Sequence, residues 1–206
     1  MPPKKQILFV GASGAVAQKI LPHLSHTYSV IGLSRSHTTL RSYCSAYYTG
    51  DLLTENAQIF DKLFTAHTFD AIIWNVVRYF PKRLSETSRE ILHTEFDLGV
   101  ALPTLCLQSA LRHGFTHNKT FTLVSSQLAF GKKPLWGSYS ITKRGQIILA
   151  SYLNDELLEQ GVSLKVLAPG RVPDTADTIL YDACARAVEN TDPEKILYTI
   201  HTDRWE

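Results

Sequence analysis

Short, continuously apolar segments alternate along the chain with longer segments in which apolar residues recur at helical spacing. The apolar segments predict strands at residues 7–10, 29–33, 47–49, 71–77, 120–125, 163–168 and 196–202. The helical spacing predicts helices at residues 15–24, 56–64, 85–113, 139–160 and 178–189, with a short helix or turn at 39–44. Strands that are apolar throughout and separated by helices are typical of a parallel sheet covered on both faces. The pattern predicts one domain over residues 1–206, an α/β doubly wound fold whose mostly parallel sheet has about seven strands.

Composition and charge narrow the function classes. Of the 206 residues, 44% are hydrophobic and 19% are charged, as in an ordinary globular protein. The formal net charge of +2 favours neither a nucleic acid nor a strongly acidic partner. Cys44, Cys106 and Cys184 are far apart and odd in number, which favours free thiols in a reducing compartment. With no signal sequence and no apolar span of membrane length, we expect a soluble cytoplasmic protein.

The first predicted strand runs into a glycine-rich turn, Gly11-Ala-Ser-Gly14-Ala-Val-Ala17, which a helix follows. In this setting Gly11 permits the tight turn, Gly14 lets the backbone approach a pyrophosphate, and Ala17 lets the helix pack closely on the strand. The helix N-terminus offers N–H groups to phosphates. A plain tight turn is the alternative interpretation. The contacts expected for a dinucleotide are Gly11, Ser13, Gly14, Ala15 and Val16.

The second predicted strand ends in Ser34-Arg35-Ser36, where a dinucleotide site meets the adenosine ribose. An acidic residue at this place would select NAD, and none is present here. The Arg35 guanidinium can pair with a 2′-phosphate instead, helped by the hydroxyls of Ser34 and Ser36. This favours NADP(H) as the cofactor, and the alternative is a surface arginine at the end of a strand.

Two further residues follow predicted strands. Asp51, in Gly50-Asp51-Leu52, could accept a hydrogen bond from an adenine amino group, and a helix N-cap explains an aspartate here equally well. Asn75, near the end of the fourth strand, could tie neighbouring strands together through its amide. Asp51, Leu52 and Asn75 are therefore added to the cofactor-binding candidates.

Ser126, Tyr139 and Lys143 indicate proton-transfer chemistry. Tyr139 and Lys143 are four residues apart, so they lie on one face of a helix. The ammonium favours a phenolate and should lower the pKa of Tyr139 toward working pH. Ser126, at the end of the neighbouring strand, could hydrogen-bond a carbonyl or hydroxyl oxygen at the same point. An exposed tyrosine–lysine pair on a helix is equally consistent with the spacing alone.

In combination, these motifs resemble the short-chain dehydrogenase/reductase family. The resemblance covers most of the chain, and the separation of thirteen residues between Ser126 and Tyr139 equals the family's habitual spacing. The motifs that carry it are the turn at 11–17, Asp51-Leu52, Asn75, Ser126, Tyr139-x-x-x-Lys143 and Pro169-Gly170-Arg171-Val172.

The resemblance implies a Rossmann fold and hydride transfer between NADP(H) and a carbonyl or alcohol. Tyr139 would be the general acid in reduction and the base in oxidation. Lys143 would lower the pKa of Tyr139 and hold the nicotinamide ribose, while Ser126 would steady the substrate oxygen. Pro169, Gly170 and Val172 would border the nicotinamide.

The helix after the fourth strand departs from the family pattern. The family often has an asparagine there that completes a proton relay. Counted from Pro103, which should bend the 85–113 helix, that position is Gly99, with Asp97 two residues away. Either the relay is absent, or Asp97 or a water replaces it. The family's Asn-Asn-Ala-Gly is here Trp74-Asn75-Val76-Val77, so one close backbone approach is lost.

Substrate contacts are affected by a second departure. Almost none of the family's substrate-covering insertion lies between Val172 and the helix at 178–189. A short lid implies a shallow pocket that excludes less water. The residues expected to contact the substrate are then Gln127, Phe130 and Trp136, with Leu128 and Arg78 beside them. Ordinary packing is the rival explanation for the aromatic residues.

Other functions stay open at this point. The missing asparagine and lid also suit a non-catalytic NADP(H)-binding regulatory or sensor protein, against which the intact Tyr139 and Lys143 argue. Epimerisation or dehydration of a nucleotide sugar suits the glycine turn, but the short C-terminal part leaves little room for a sugar-nucleotide domain. The histidine pairs 23/26 and 113/117 have no carboxylate or thiol at ligand spacing, so no metal is expected. A homodimer and a homotetramer are both open.

Overall fold

The computed structural model describes residues 3–190 and 194–200, without the side chains of residues 56 and 57. Within these residues seven strands form one sheet in the order β3-β2-β1-β4-β5-β6-β7, and every neighbouring pair is parallel. The strands are β1 (Gln6–Val10), β2 (Ser29–Ser34), β3 (Ala46–Thr49), β4 (Ala71–Trp74), β5 (Lys119–Val124), β6 (Val162–Pro169) and β7 (Leu197–Ile200). The doubly wound parallel sheet predicted from the sequence is confirmed. The last two residues of the strand predicted at 196–202 lie outside the described residues.

Helices cover both faces of the sheet. They are α1 (Ala15–Thr27), α2 (Leu52–Ala66), α3 (Arg89–Phe96), α4 (Leu102–Arg112), α5 (Gly137–Leu157) and α6 (Asp177–Glu189). Successive residues of a strand point to opposite faces, so Leu8 of β1 packs in one core with α2, α4 and α5, whereas Phe9 packs in the other with α1 and α6. This two-sided burial is why the strands are apolar at every position. None of the described helices is long and apolar enough to cross a bilayer.

The helix predicted at 85–113 is interrupted, and this prediction is wrong in detail. A π-helical turn, Asp97–Ala101, separates α3 from α4, and Pro103 lies in the first turn of α4. The N–H of Leu102 bonds to the carbonyl of Asp97, and Pro103 has no N–H to offer. The carbonyl of Leu98 instead accepts a hydrogen bond of 2.9 Å from the indole of Trp74. Trp74, a departure from the family pattern, thus satisfies a carbonyl that the π turn leaves open.

Candidate active site

A cleft runs along the carboxyl edge of the sheet and consists of two adjoining cavities. The β2-side cavity, of about 150 Å³, lies over the ends of β1, β2 and β4. The β6-side cavity, of about 140 Å³, lies over the ends of β5 and β6. Gly14, Asn75 and Val77 line both cavities. A cleft at this edge of a doubly wound sheet is where this architecture binds ligands.

All but one of the predicted cofactor and catalytic residues line this cleft, the exception being Ser36. The β2-side cavity is lined, among others, by Gly11, Ser13, Gly14, Ser34, Arg35, Asp51, Leu52 and Asn75. The β6-side cavity is lined by Gly14, Ala15, Val16, Asn75, Ser126, Tyr139, Lys143, Pro169, Gly170 and Val172, among others.

The glycine turn closes tightly on Asn75. Gly11 has a φ of +88°, and a Cβ at Gly11 would overlap the carbonyl oxygen of Asn75. The side-chain amide of Asn75 donates a hydrogen bond of 3.2 Å to the carbonyl of Gly11, and a Cβ at Gly14 would lie 3.2 Å from the same amide nitrogen. Asn75 therefore ties β4 to the turn. Gly14 is also the N-cap of α1 and has no side chain to cap the first N–H groups of that helix.

Arg35 is exposed at the rim of the β2-side cavity, and Arg78 brings a second guanidinium to its lining. The two serines that were predicted to help Arg35 differ in position, and Ser34 lines the cavity. The buried hydroxyl of Ser34 donates to the carbonyl of Ser36 and bonds to the phenol of Tyr47, both at 2.6 Å. Ser36 itself does not line the cavity. Ser34 holds the loop, and the charge comes from the arginines.

Asp51 is a helix N-cap, the alternative that the sequence left open. Its Oδ1 accepts the N–H of Leu53 at 3.0 Å, and its own N–H donates to Oε1 of Glu55 at 2.9 Å. This reciprocal pair explains why α2 begins at Leu52, four residues before the predicted start. Asp51 still lines the β2-side cavity.

Ser126, Tyr139 and Lys143 meet at the β6-side cavity. Ser126 is buried just beyond β5, and its hydroxyl accepts the N–H of Leu128 and hydrogen-bonds the side chain of Tyr139. Lys143 is only 3% exposed, and its ammonium donates to the carbonyl of Val124 at 2.7 Å and to Oε1 of Gln146 at 3.1 Å. The Lys143 nitrogen lies 5.5 Å from the centre of the Tyr139 ring.

Burial moves the pKa of both groups. It raises the pKa of Tyr139 to about 12, an effect that the hydrogen bond from Ser126 opposes and the charges of Glu95 and Tyr79 increase. It lowers the pKa of Lys143 to about 7. The predicted lowering of the Tyr139 pKa is therefore wrong in direction, because burial disfavours the phenolate. The phenol is protonated at neutral pH and can act as a proton donor.

The position predicted for the relay asparagine has no room for a side chain unless Thr142 shifts. A Cβ at Gly99 would overlap the methyl group of Thr142. Asp97 lines a surface depression with Phe96, Ile141 and Thr142, and not the cavities that Tyr139 lines. The proposal that Asp97 replaces the relay is therefore not supported by its position.

Of the predicted substrate contacts, Trp136 is the one that contacts Tyr139 among the described ring pairs, edge-on at 5.4 Å between centroids. Gln127 donates to the carbonyl of Ile200 at 2.7 Å and so ties its loop to β7. Phe130 lies against the guanidinium of Arg144, 5.6 Å from the ring centre. Leu128 is buried in the loop after β5.

Sequence reasoning missed Tyr79, Glu95 and Gln146. The ring of Tyr79 stacks on Trp136 at 4.2 Å and lies edge-on to Tyr139 at 6.0 Å. Glu95 and Gln146 are buried near Tyr139 and Lys143. A signal existed for Glu95, since helical spacing puts it on the same stripe as Ile91 and Leu98, where a charge is unexpected.

The segment after β6 is short, as expected, with one 3₁₀ turn (Val172–Asp174) before α6. In the described ranges no three histidine, cysteine or acidic side chains are grouped as metal ligands. The cleft therefore offers a glycine turn at a helix N-terminus, two arginines and a hydroxyl–phenol–amine group, which suit a dinucleotide and proton transfer.

Solved structures of short-chain dehydrogenases have the same fold. A short-chain dehydrogenase from Mycobacterium smegmatis superimposes with a TM-score of 0.83 over 98% of this chain and 94% of that one, at 15% identity. ElxO, solved with NADP bound, gives 0.81 over 96% and 97% at 16% identity, and NADH-dependent reductase A1-R′, complexed with NAD, gives 0.82 over 97% and 96% at 16% identity. No family model and no curated protein matches the sequence. The chain thus has the Rossmann-type fold of short-chain dehydrogenase/reductases, in a sequence that is far from these relatives.

Proposed function

We propose that this protein is an NADP(H)-dependent oxidoreductase of the short-chain dehydrogenase/reductase type, which interconverts a carbonyl and an alcohol. The observation that carries the proposal is the meeting of Ser126, Tyr139 and Lys143 at one cavity, beside the glycine turn and Pro169. The three side chains come from segments that are distant in the sequence, and they converge at the edge where this fold binds ligands.

The chain's residues fit a nicotinamide dinucleotide. Side chains at Gly11 or Gly14 would fill the cradle beside Asn75, and the two adjoining cavities give a long cleft. The glycine turn would hold the pyrophosphate, while Pro169, Gly170 and Val172 would border the nicotinamide. The bound cofactor supplies or accepts the hydride.

Proton transfer falls to the three polar side chains. Ser126 and Tyr139 hydrogen-bond the carbonyl oxygen of the substrate, and Tyr139 gives that oxygen its proton as the hydride arrives at the carbon. The hydroxyl of Ser126 and a protonated Lys143 stabilise the phenolate that results. In oxidation the phenolate takes the alcohol proton. Positioned proton transfer of this kind contributes roughly 10²–10⁴-fold to a rate.

NADP(H) is proposed over NAD(H) because of Arg35. Relatives of this fold bind either cofactor, so the choice lies with residues at the β2-side cavity. Arg35 stands at its rim without an acidic neighbour in the loop, and Arg78 adds a second positive charge. A guanidinium pairs well with a phosphate through two parallel hydrogen bonds.

The proposed substrate carries a flat apolar group on its carbonyl. Trp136 and Tyr79 stand beside the Tyr139 ring, and aromatic faces favour stacking on planar groups. The short segment after Val172 leaves the pocket open, which suits small compounds of varied shape.

A homo-oligomer is expected. Leu105, Ile148 and Tyr152 expose apolar side chains on α4 and α5, the two helices through which the family pairs its subunits. Light scattering distinguishes a monomer, a homodimer and a homotetramer. The cytoplasmic location stays a prediction, and the three free thiols agree with it.

The alternative is an NADP(H) sensor without activity, which the empty side-chain position at Gly99 and the short lid favour. The test is a panel of 4-nitrobenzaldehyde, 9,10-phenanthrenequinone and cyclohexanone with NADPH, and of the related alcohols with NADP. NADPH binding is measured in parallel by calorimetry. We expect turnover of at least one aromatic carbonyl. Binding of NADPH without any turnover contradicts the enzyme proposal and favours the sensor.

A further inference from the structure

A buried carboxylate lies beside the catalytic pair. Glu95 of α3 is 3% exposed, and its Oε1 accepts the N–H of Phe80 at 3.2 Å. No polar atom of the described residues hydrogen-bonds its other oxygen, Oε2. A buried carboxylate oxygen without a partner costs free energy, so a partner such as a water molecule is expected beside it.

Glu95 and the catalytic pair share a cavity that is distinct from the β6-side cavity. We call it the rear cavity; its walls include Glu95, Tyr139, Lys143, Gly99 and Arg78. Its volume of about 10 Å³ is enough for one water molecule. Tyr139 and Lys143 line both cavities, so they stand between the reacting side and Glu95.

Glu95 is the carboxylate that can exchange a proton with Tyr139 across the rear cavity. Among the described residues that line the rear cavity it is the only acid. Gly99 contributes no side chain there, and Gln146, whose amide holds Lys143, does not titrate. The charge of Glu95 also acts on Tyr139, because it adds to the rise in the Tyr139 pKa that burial causes.

We infer that Glu95 is the proton-relay residue of this site, which returns a proton to Tyr139 through one water in the rear cavity after each reduction. The inference rests on the proposed function. In reduction the Tyr139 O–H bond breaks, and the proton goes to the substrate oxygen. The water then protonates the phenolate and takes a proton from Glu95 in return. The Glu95 carboxylate binds that proton from solvent, which reaches the cavity rim at the exposed Arg78, and is a carboxylate again once it has passed the proton on.

In oxidation the same path carries the proton outward. Glu95 would act through Tyr139 and would touch neither substrate nor cofactor. It is therefore a positioning residue, which supplies or removes the proton of Tyr139. The charged or titratable groups that face it are Tyr139 and Lys143 from α5 and Arg78 from the segment after β4. Tyr79 of the same segment acts on Tyr139.

Glu95→Gln is the decisive variant, because it keeps the size of the side chain and an oxygen for the N–H of Phe80 but cannot carry the proton. Glu95→Asp is the conservative variant, and Asp97→Asn, on the outer surface, is the matched control. The assay is reduction of the panel compound with the highest turnover, measured against pH in H₂O and D₂O. Thermal unfolding checks the fold of each variant.

For Glu95→Gln we expect kcat to fall at least about tenfold, with an unchanged KM for NADPH, a larger solvent isotope effect and loss of one ionisation from the kcat–pH profile. Asp97→Asn should match the unmodified protein, and Glu95→Asp should regain part of the rate. A kcat for Glu95→Gln within about twofold of the unmodified protein overturns the relay, and so does an equal loss in Glu95→Asp, which indicates packing alone.

If Glu95→Gln does not fold, the rate of the unmodified protein in H₂O–D₂O mixtures decides. A curved dependence on deuterium fraction indicates several protons in flight and supports the relay, whereas a linear one overturns it. Failure of the proposed function is seen separately, as no turnover by the unmodified protein, and it overturns the relay as well.

Discussion

The two ends of the cleft differ in how deeply their polar side chains are buried. The polar part of the β2-side lining includes the glycine turn, the exposed Arg35 and Asp51, whose carboxylate caps a helix. The polar part of the β6-side lining includes the buried side chains of Ser126 and Lys143 and also Tyr139. The exposed charge at the first end can favour one ligand over another. Burial at the second end shifts the pKa values of the side chains there.

The difference follows from water. A charged side chain at the exposed end stays hydrated, so it would act on a ligand mainly through a direct hydrogen bond. Burial removes hydration from Tyr139 and Lys143, which moves their pKa values to about 12 and about 7. Substitutions at the buried end should therefore change rate and stability, and substitutions at the exposed end should change cofactor choice.

The largest effect is expected from Tyr139→Phe, which removes only the hydroxyl. We expect kcat to fall by roughly 10²–10⁴-fold with little change in NADPH binding, because in the proposed mechanism the lost hydroxyl transfers the proton. Steady-state kinetics and calorimetry check this. Tyr152→Phe, on the exposed face of the same helix, is the control and should be unchanged. Unaltered turnover in Tyr139→Phe would show that the buried end does not carry the chemistry.

Arg35→Ala tests the exposed end. A hydrogen bond to a charged group is worth about 1.5–3 kcal/mol, so the dissociation constant for NADPH should rise by roughly 10–100-fold while that for NADH stays the same. Arg41→Ala, on the turn that follows, should change neither value. An equal loss for both cofactors would remove Arg35 as the basis for NADP selection.

Gly99→Ala tests why the relay position is empty. The added methyl would overlap Thr142, and overpacking of this kind costs about 1–3 kcal/mol of the free energy of unfolding. Gly131→Ala is the matched control, since a Cβ there meets nothing within 4 Å. Urea denaturation measures both variants. Equal stability of the two would mean that the packing at Gly99 can relax.

The smallest expected effect is on the free energy of unfolding, which Lys143 makes dependent on pH by a small amount for each pH unit. Its pKa is about 7 in the folded protein against 10.5 ordinarily, so the unfolded chain binds more protons between these values. Lys143 should therefore add to the free energy of unfolding as pH rises across this window, by at most about 1.4 kcal/mol per pH unit, and this gain is lost as pH falls to 7. Lys143→Met should flatten or reverse the slope, because the buried thiols Cys106 and Cys184, whose pKa values are raised, make stability fall as pH rises. Lys62→Met, at an exposed position, should keep the slope of the unmodified protein. Identical slopes in all three proteins would contradict a buried ammonium.

Much of the fold could be predicted because its causes are local or periodic. Continuous apolar strands indicate burial on both faces, and the Gly11 turn needs a glycine because of its own φ angle. The π turn before Pro103 could not be predicted. It depends on the indole of Trp74 in β4, which donates the hydrogen bond to the carbonyl of Leu98 that Pro103 cannot donate. The start of α2 was misplaced because a cap at Asp51 outweighed the weaker periodicity at its N-terminus.

Residue types and spacing by themselves determined the doubly wound sheet, the glycine turn and the three polar groups of the candidate site. Only the tertiary structure decided the direction in which the pKa of Tyr139 moves, the lack of room for a side chain at Gly99 and the place of Glu95 beside Tyr139 and Lys143. The physical reason is that burial and electrostatic contact are properties of side chains brought together from distant segments, and no local pattern records them.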